Sequence, residues 1–208
     1  MNFATPKFSG NVTFSTKINT ILPANQFGGS SGLRFELPVT NNKKVSISYD
    51  IYFPIDFDPV FGGKVFGGIN GPEFCTRNMF RRNLSDSSKF GGEIYVHGPK
   101  QLDPNYNSIP GFKSSTGDSL FQYYFTFNKG SFNSIKLSVQ LNDPGKANGI
   151  ISCTINNVTK TYSRYTFITK KESVITSALF QTFYGGDNIS YAPKKAFEIK
   201  IENIKIEN

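Results

Sequence analysis

The chain has 208 residues and a formal net charge of +8, from 23 lysines and arginines against 15 acidic residues. This length is typical of one all-β domain and is enough to bury a core without disulfide staples, so we expect a single domain over residues 1–208. The charge predicts an affinity for polyanions, although charges dispersed along a chain also serve solubility alone. The 21 phenylalanines and 10 tyrosines favour β-strands.

Scarce residue types exclude several kinds of site. Two cysteines, Cys75 and Cys153, and one histidine, His97, match no metal-ligand spacing, so we expect no metal and no cofactor. The sequence does not decide whether the two cysteines form a disulfide. The first ten residues lack the charged and apolar regions of a signal peptide, and no stretch approaches the roughly 20 apolar residues that span a membrane. We therefore expect no membrane insertion, while the compartment and the oligomeric state stay open.

The first clear strand is predicted at residues 43–53, where apolar and polar residues alternate with the period of a half-buried strand. The loop after it carries Asp56 and Asp58. A pair of carboxylates is what a glycosidase needs, but we interpret these two as turn residues that bond nearby backbone. The predicted apolar face of the strand consists of Val45, Ile47, Tyr49 and Ile51.

The next stretch, FGGKVFGGINGPEFCTRNMFRRN at residues 61–83, places Lys64 between two glycine pairs. Glycine pairs weaken a strand because they lose backbone entropy and pack no side chain, so we expect another group to approach the backbone closely there. Farther on, the strand pattern predicts one face formed by Cys75, Arg77, Met79 and Arg81.

A second short strand is predicted at GGEIYVHGP, residues 91–99, with Glu93, Tyr95 and His97 on one face. If this strand lies next to the preceding one, Arg77, Tyr95 and His97 meet on a common face with Lys64 nearby.

The remaining predicted strands are separated by clusters of glycine, proline and asparagine, and no segment shows an amphipathic helical pattern of useful length. Ten or more short strands in one domain predict an all-β, single-domain antiparallel β-sandwich, specifically a jelly roll. These later strands are SLFQYYFTFN, SIKLSVQLND, IISCTINN, SRYTFITK, SALFQTFYGG and AFEIKIENIKI.

The chemistry of the predicted common face is basic and phenolic. The chain has no GxSxG elbow, phosphate-binding glycine loop or HExxH motif, and a serine triad would depend on His97 without a supporting signature. Lysine, arginine, tyrosine and histidine without a metal suit β-elimination on a uronic acid. The cations neutralise the sugar carboxylate, which acidifies the adjacent proton, and the other groups move protons.

Read in order, several segments resemble polysaccharide lyase family 14, the alginate lyases known from algal viruses and marine molluscs, and its glucuronan lyase relatives. The resemblance covers about three quarters of the chain and implies a β-jelly roll that cleaves an anionic polysaccharide without a cofactor. The segments that carry it are YDIYFPIDFDPVFGGKVFGG, FCTRNMFRR, GGEIYVHGP, SFNSIKLSVQLNDPGKANGIISCTINN and FQTFYGGDNISYAP.

The family's catalytic pattern is a lysine after a Gly-Gly pair, a Ser-x-Arg strand and a Tyr-x-Tyr strand. The resemblance implies four catalytic residues, Lys64, Arg77, Tyr95 and His97, and four substrate-binding residues, Gly63, Cys75, Arg81 and Glu93. Here Cys75 replaces the serine, His97 replaces the second tyrosine, and the loop between Lys64 and Cys75 is shortened.

These departures keep two interpretations open. The first is a polyuronate lyase in which His97 retains the ability to transfer protons. The alternative is a catalytically silent jelly roll that binds polysaccharide or forms part of a virion, since jelly rolls are frequent in lectins and capsids. The composition is compatible with a virus-encoded protein. Nucleic-acid binding is the least favoured, because no basic-aromatic platform or recognition helix is evident.

Overall fold

The computed structural model describes residues 12–14, 17–29, 31–82, 89–108 and 117–208. Residues 1–10, to which the expectation about a signal peptide applies, lie outside the described residues. Within the described part the secondary structure consists of strands and two short 3-10 helices, Tyr106–Ser108 and Ile189–Tyr191. The strands are β1 (Val12–Phe14), β2 (Ile18–Leu22), β3 (Leu33–Asn42), β4 (Lys44–Tyr52), β5 (Gly62–Val65), β6 (Gly68–Gly71), β7 (Phe74–Arg82), β8 (Lys89–His97), β9 (Asp118–Asn128), β10 (Phe132–Gln140), β11 (Gly149–Ile155), β12 (Val158–Tyr165), β13 (Ile175–Tyr184) and β14 (Phe197–Glu207).

The strands form two antiparallel sheets packed face to face. The first sheet has the order β1-β14-β4-β10-β11-β12, with β2 also paired to β14. The second has the order β3-β13-β5-β7-β8-β9, and β6 pairs with both β13 and β7. This arrangement confirms the predicted all-β antiparallel sandwich of the jelly-roll type.

Alternation along β4 sends one set of side chains into the space between the sheets. All four residues of the predicted apolar face are buried, and β10 continues that face, with Leu137 directly opposite Ile47 and Val139 opposite Val45. Burying each such side chain stabilises the fold by roughly 1.5–3 kcal/mol. The second sheet contributes many aromatic rings, and Phe53 alone has four neighbours, Phe57, Phe80, Phe90 and Phe127.

The two cysteines are both free and do not form a disulfide. Cys153 is buried in the core on β11 of the first sheet, whereas Cys75 is half-buried on β7 of the second. Among the described residues, no group of three or more His, Cys, Asp or Glu side chains is placed to hold a metal ion. No helix in that part of the chain is long and apolar enough to cross a membrane.

The predicted strand SRYTFITK at residues 163–170 is only partly a strand, since β12 ends at Tyr165. Beyond Tyr165, Phe167 and Ile168 are both buried in an irregular segment that packs on the core. The buried amide of Asn142 accepts hydrogen bonds from both of their backbone N–H groups and donates to the Ile168 carbonyl. This side chain therefore replaces the hydrogen bonds that a neighbouring strand provides elsewhere.

Asp56 and Asp58 lie in an exposed loop. Asp58 accepts a hydrogen bond from the Val60 N–H at 2.9 Å, which is an Asx turn, and Asp56 pairs with Lys195. Asp58 thus has the local partner expected of a turn residue, whereas the partner of Asp56 is a lysine 139 residues away in the sequence.

Candidate active site

Three neighbouring strands, β5, β7 and β8, bring polar side chains together on the outer face of the second sheet, which we call the site face. Lys64 is directly opposite Met79, which in turn is opposite Glu93. Two residues before Met79 on β7, Arg77 is directly opposite Tyr95. Directly opposite residues of antiparallel strands share a face, so the predicted juxtaposition of these side chains is present.

Crowding between strands explains the glycines around Lys64. A Cβ atom at Gly63 would lie 2.3 Å from the Phe183 carbonyl oxygen, and one at Gly68 would lie 2.3 Å from the Thr76 carbonyl oxygen. Gly63 is directly opposite Phe80, whose ring is in the core, so Gly63 faces the core while Lys64 faces outward. This crowding accounts for Gly63 by itself, and its contact with substrate stays a prediction.

Lys64 is held among neutral groups. Its Nζ donates to the Met79 Sδ at 3.2 Å and lies 4.3 Å from the centre of the Tyr95 ring. A thioether is a weak acceptor, and neither neighbour offsets the loss of water around the ammonium. Burial therefore lowers the pKa of Lys64 to about 8, with smaller contributions in the same direction from Arg81 and Arg77.

Arg77 is half-buried on the site face, and two hydrogen bonds fix its guanidinium. Its Nη1 donates to the Asn70 side-chain oxygen and to the Thr76 carbonyl, both at 2.6 Å. Its stem packs over Gly68, where a Cβ would come within 3.3 Å of the Arg77 Cδ. Burial lowers the pKa of Arg77, but a guanidinium remains charged at any physiological pH. The arrangement gives a permanent, oriented cation.

The hydroxyl end of Tyr95 rests against Gly117. A Cβ at Gly117 would lie 2.2 Å from the Tyr95 Oη, and Gly117 has φ +140°, a conformation that favours glycine. This residue therefore sets how far the half-buried phenol extends on the site face.

Arg81 and Glu93 form an ion pair beside Met79, in which Glu93 is buried and Arg81 is partly exposed. Arg81 Nε donates to Glu93 Oε1 at 2.7 Å, and Ser119 Oγ donates to the same oxygen at 3.0 Å. The Glu93 side chain is fully buried, and its second oxygen, Oε2, has no hydrogen-bond partner. This placement identifies Glu93 as the group that holds Arg81, so contact with a substrate stays a prediction for both.

Cys75 and His97 are directly opposite each other on β7 and β8, at the margin of the cluster. Cys75 is half-buried and His97 is exposed. The short segment between Lys64 and Cys75 contains β6, which is hydrogen-bonded into the sheet between β13 and β7. The predicted shortened loop is thus part of the sheet itself.

Sequence reasoning placed Met79 on the correct face but did not include it in the site. It also missed Asn70, Ser119 and Gly117, which contact Arg77, Glu93 and Tyr95 from neighbouring strands or loops. The alternation of side chains along the predicted strand indicated that Met79 shares a face with Arg77 and Arg81. The other three become visible only once the strand register is known, because alternation along one strand does not show which residues of another strand or loop lie beside it.

The family model for polysaccharide lyase 14 matches residues 17–204 of the chain. Exolysin of Paramecium bursaria Chlorella virus 1 is 26% identical over 231 residues, an alignment that covers 95% of this chain and 35% of Exolysin. The chain therefore spans about a third of the length of that curated relative.

Solved structures share the fold at low sequence identity. The marine PL-14 alginate lyase from Aplysia kurodai has a TM-score of 0.76 and 21% identity, covering 95% of this chain and 86% of its own. A double mutant of alginate lyase Aly36B, solved in complex with alginate tetrasaccharide, has a TM-score of 0.77 and 18% identity, covering 92% of this chain and 80% of its own.

Proposed function

Because the family match spans most of its length, this chain belongs to polysaccharide lyase family 14, and from this premise we propose that it cleaves a uronate-containing anionic polysaccharide by β-elimination. The observation that carries the proposal is the cluster on the site face: Lys64 with a lowered pKa, beside Tyr95 and a fixed Arg77.

Arg77 serves as the carboxylate-binding group. Its outward edge forms charge-assisted hydrogen bonds with the uronate carboxylate, and Asn70 fixes the guanidinium for that contact. Neutralising the carboxylate stabilises the negative charge that develops when the adjacent carbon loses its proton.

Lys64 and Tyr95 transfer the protons. With a pKa of about 8, Lys64 is partly neutral near physiological pH, and its amine removes the proton from the carbon next to the carboxylate. The electron pair of that C–H bond forms a carbon–carbon double bond as the bond from the β carbon to the glycosidic oxygen breaks. Tyr95 donates a proton to the departing oxygen. The products are an unsaturated uronate and a new sugar hydroxyl, with no oxidant or cofactor consumed.

Alginate is the first substrate to test, because similar structures are described as alginate lyases and one holds an alginate tetrasaccharide. Glucuronan is the second. The net charge of +8 favours any such polyanion over a neutral glycan.

The test is ultraviolet absorbance during incubation with alginate, polymannuronate, polyguluronate, glucuronan and a glycosaminoglycan, since β-elimination creates an absorbing double bond. We expect a rise on one polymer and a loss of about 10²–10⁴-fold in Lys64→Ala. No rise on any polymer between pH 5 and about 10 would contradict the proposal.

A second candidate, polysaccharide binding without cleavage, is favoured by one specific observation: Cys75 and His97 stand where the family pattern has serine and tyrosine. In that case the protein binds alginate but produces no absorbance, and the double change Cys75→Ser with His97→Tyr restores cleavage. An active wild type whose pH profile is unchanged in His97→Tyr would instead remove His97 from the mechanism.

A further inference from the structure

The outer face of the first sheet, which we call the back face, carries ordered polar and aromatic side chains on the side of the sandwich away from the site face. The buried residues of β4 alternate with residues that point outward, and their cross-strand partners on β10 and β14 share that outer face. Together they form four rows across the three strands: Lys200-Tyr52-Phe132, Glu202-Asp50-Ser134, Lys205-Ser48-Lys136 and Glu207-Ser46-Ser138.

A depression of about 320 Å³ lies in the middle of the back face. Ser48 forms its floor, because this short side chain lies between two long ones, directly opposite Lys136 on β10 and Lys205 on β14. A β-bulge in β14 just before Lys205 adds Asn203, which has φ +56° and donates its amide to Asp50 Oδ2 at 2.6 Å. Bulges re-aim side chains, and this one places an amide and a carboxylate together at the rim of the depression.

Hydrogen bonds within the back face hold several of the surrounding side chains in place. Lys136 donates to Glu207 at 2.6 Å, and the hydroxyls of Ser46 and Ser138 share a hydrogen bond of 2.8 Å. Such groups still have capacity for a ligand, because an ammonium has three protons and a hydroxyl both donates and accepts. The depression therefore offers fixed donors and acceptors side by side.

An exposed aromatic ring lies next to the depression. Phe132 is 44% exposed, and its ring centre is 5.5 Å from that of Tyr52 at an interplanar angle of 56°. Lys200 Nζ lies 5.5 Å from the centre of the Tyr52 ring, so Tyr52 has a neighbour on each adjacent strand. Ser134, at the edge of the depression, is two residues or roughly 7 Å along β10 from Phe132. A single exposed ring is ordinary on a surface, but this one continues a polar depression.

The charges of the back face cancel. Its four rows contain three lysines and three carboxylates, namely Lys136, Lys200 and Lys205 against Asp50, Glu202 and Glu207. A polyanion thus gains little net attraction here, although the whole chain carries +8. A protein partner is also disfavoured, because the centres of protein interfaces are depleted of charged residues. An uncharged ligand rich in hydroxyl groups can bond to both the cations and the carboxylates.

We propose that the back face binds an uncharged polysaccharide at a site independent of the proposed lyase centre. One sugar ring packs its C–H face on Phe132, and the hydroxyls of the next sugar enter the depression. There Asp50 accepts hydrogen bonds, while Ser48 and Lys205 donate them. The two faces of the sandwich then serve different glycans, a charged one on the site face and a neutral one on the back face.

The test measures binding of three neutral probes, cellohexaose, laminarihexaose and β-1,4-mannohexaose, by calorimetry. Alginate hexasaccharide, used in a Lys64→Ala background to prevent cleavage, is the charged comparison. The variants are Phe132→Ala, Ser48→Gln and Asn203→Gly. The matched control is Ile21→Ala, which removes a 63% exposed apolar side chain from β2, in the same sheet but outside the four rows.

We expect at least one neutral hexasaccharide to bind, and its affinity to change less than about twofold between about 50 and about 500 mM salt. Phe132→Ala weakens binding about tenfold because the aromatic contact is lost, and Ser48→Gln does the same by filling the depression. Asn203→Gly, which keeps the positive φ without strain, weakens it about threefold through the loss of one hydrogen-bonding group. Ile21→Ala leaves the affinity unchanged, and Phe132→Ala leaves kcat and KM on alginate unchanged.

Absence of binding to all three neutral probes would overturn the proposal, as would binding that Phe132→Ala and Asn203→Gly leave unchanged. Both of these side chains are exposed, so the two variants keep the fold even if Ser48→Gln does not. If the variants weaken only the binding of alginate, the back face binds the anionic polymer and its assignment to an uncharged glycan is wrong. A wild type that binds a neutral probe through Phe132 but cleaves no polyuronate would support this site and contradict the elimination chemistry.

Discussion

The Lys64 ammonium nitrogen lies 4.3 Å from the centre of the Tyr95 ring, two strands away across the site face. An aromatic face attracts a cation but cannot replace the water lost on burial, and the pKa of Lys64 falls to about 8. A lysine held in this way can gain or lose a proton near neutral pH, which a lysine tied to a carboxylate cannot.

The pH dependence of cleavage tests the role of Lys64. If the neutral amine is the base, kcat/KM on alginate rises with pH and levels off above about 8, following the pKa of Lys64. The measurement is initial rates by absorbance at constant ionic strength. A fall in rate through the same range would show that the protonated form is needed, and would reassign Lys64 to carboxylate binding.

The same lowered pKa predicts that Lys64 destabilises the fold. Its pKa is about 8 in the folded protein against the usual 10.5, so the unfolded chain binds more protons between these values and stability rises with pH there. Below pH 8 the buried Lys64 ammonium destabilises the fold to its full extent. We expect Lys64→Met to raise the melting temperature at pH 7, by about 2–4 °C per kcal/mol recovered, and to lose this advantage above pH 10.5.

The matched control for that experiment is Lys205→Met, which removes an exposed lysine from the first sheet and should leave the melting temperature nearly unchanged. A lower melting temperature of Lys64→Met at pH 7 would mean that the ammonium stabilises the fold, contrary to this prediction.

Glu93 and Arg81 shift the pKa of Lys64 in opposite directions, Glu93 upward and Arg81 downward. Glu93→Gln should therefore move the rising limb of the pH profile to lower pH, and Arg81→Gln should move it to higher pH. Glu93→Gln also loses about 1–3 kcal/mol of stability, because it removes a buried charge partner. Shifts in the same direction in both variants would rule out this electrostatic coupling.

Gly117→Ala should displace the Tyr95 phenol, since the new methyl group would lie 2.2 Å from its oxygen. We expect kcat to fall by tenfold or more, because small displacements of an acid cost substantial rate. Gly145→Ala separates this effect from backbone strain: Gly145 also has a positive φ, +77°, but nothing lies within 4 Å of its Cβ position. Equal activity in the two variants would contradict the role of Gly117.

The sequence predicts the β-sandwich well because the alternation of apolar and polar residues that indicates a strand is a local pattern. The alternation in β4 and β10 specifies which side chains enter the core, and the shared face of Arg77 and Arg81 follows from the same period of two. The predicted strand at residues 163–170 shows the limit, since β12 ends at Tyr165, and Phe167 and Ile168 are buried in an irregular segment that Asn142 holds.

The contacts of the site are less predictable because they depend on register between distant segments. Nothing near Tyr95 in sequence indicates Gly117, and Ser119 is 26 residues from Glu93. The close approach expected at the glycine pairs is made at Gly63 and Gly68 by the backbone of neighbouring strands, which the sequence alone does not identify.

Lys64, Arg77 and Tyr95 all come from strand interiors, so their spacing is fixed by hydrogen-bond ladders rather than by loops. The reacting groups can then stay in place while the connections at the ends of the sheet change length and composition. In such a scaffold the strands hold the three side chains, and the loops can vary independently to change which polymer binds. If the proposed elimination holds, exchanging loops between relatives is therefore a practical way to redirect such a protein toward another polyuronate without changing Lys64, Arg77 or Tyr95.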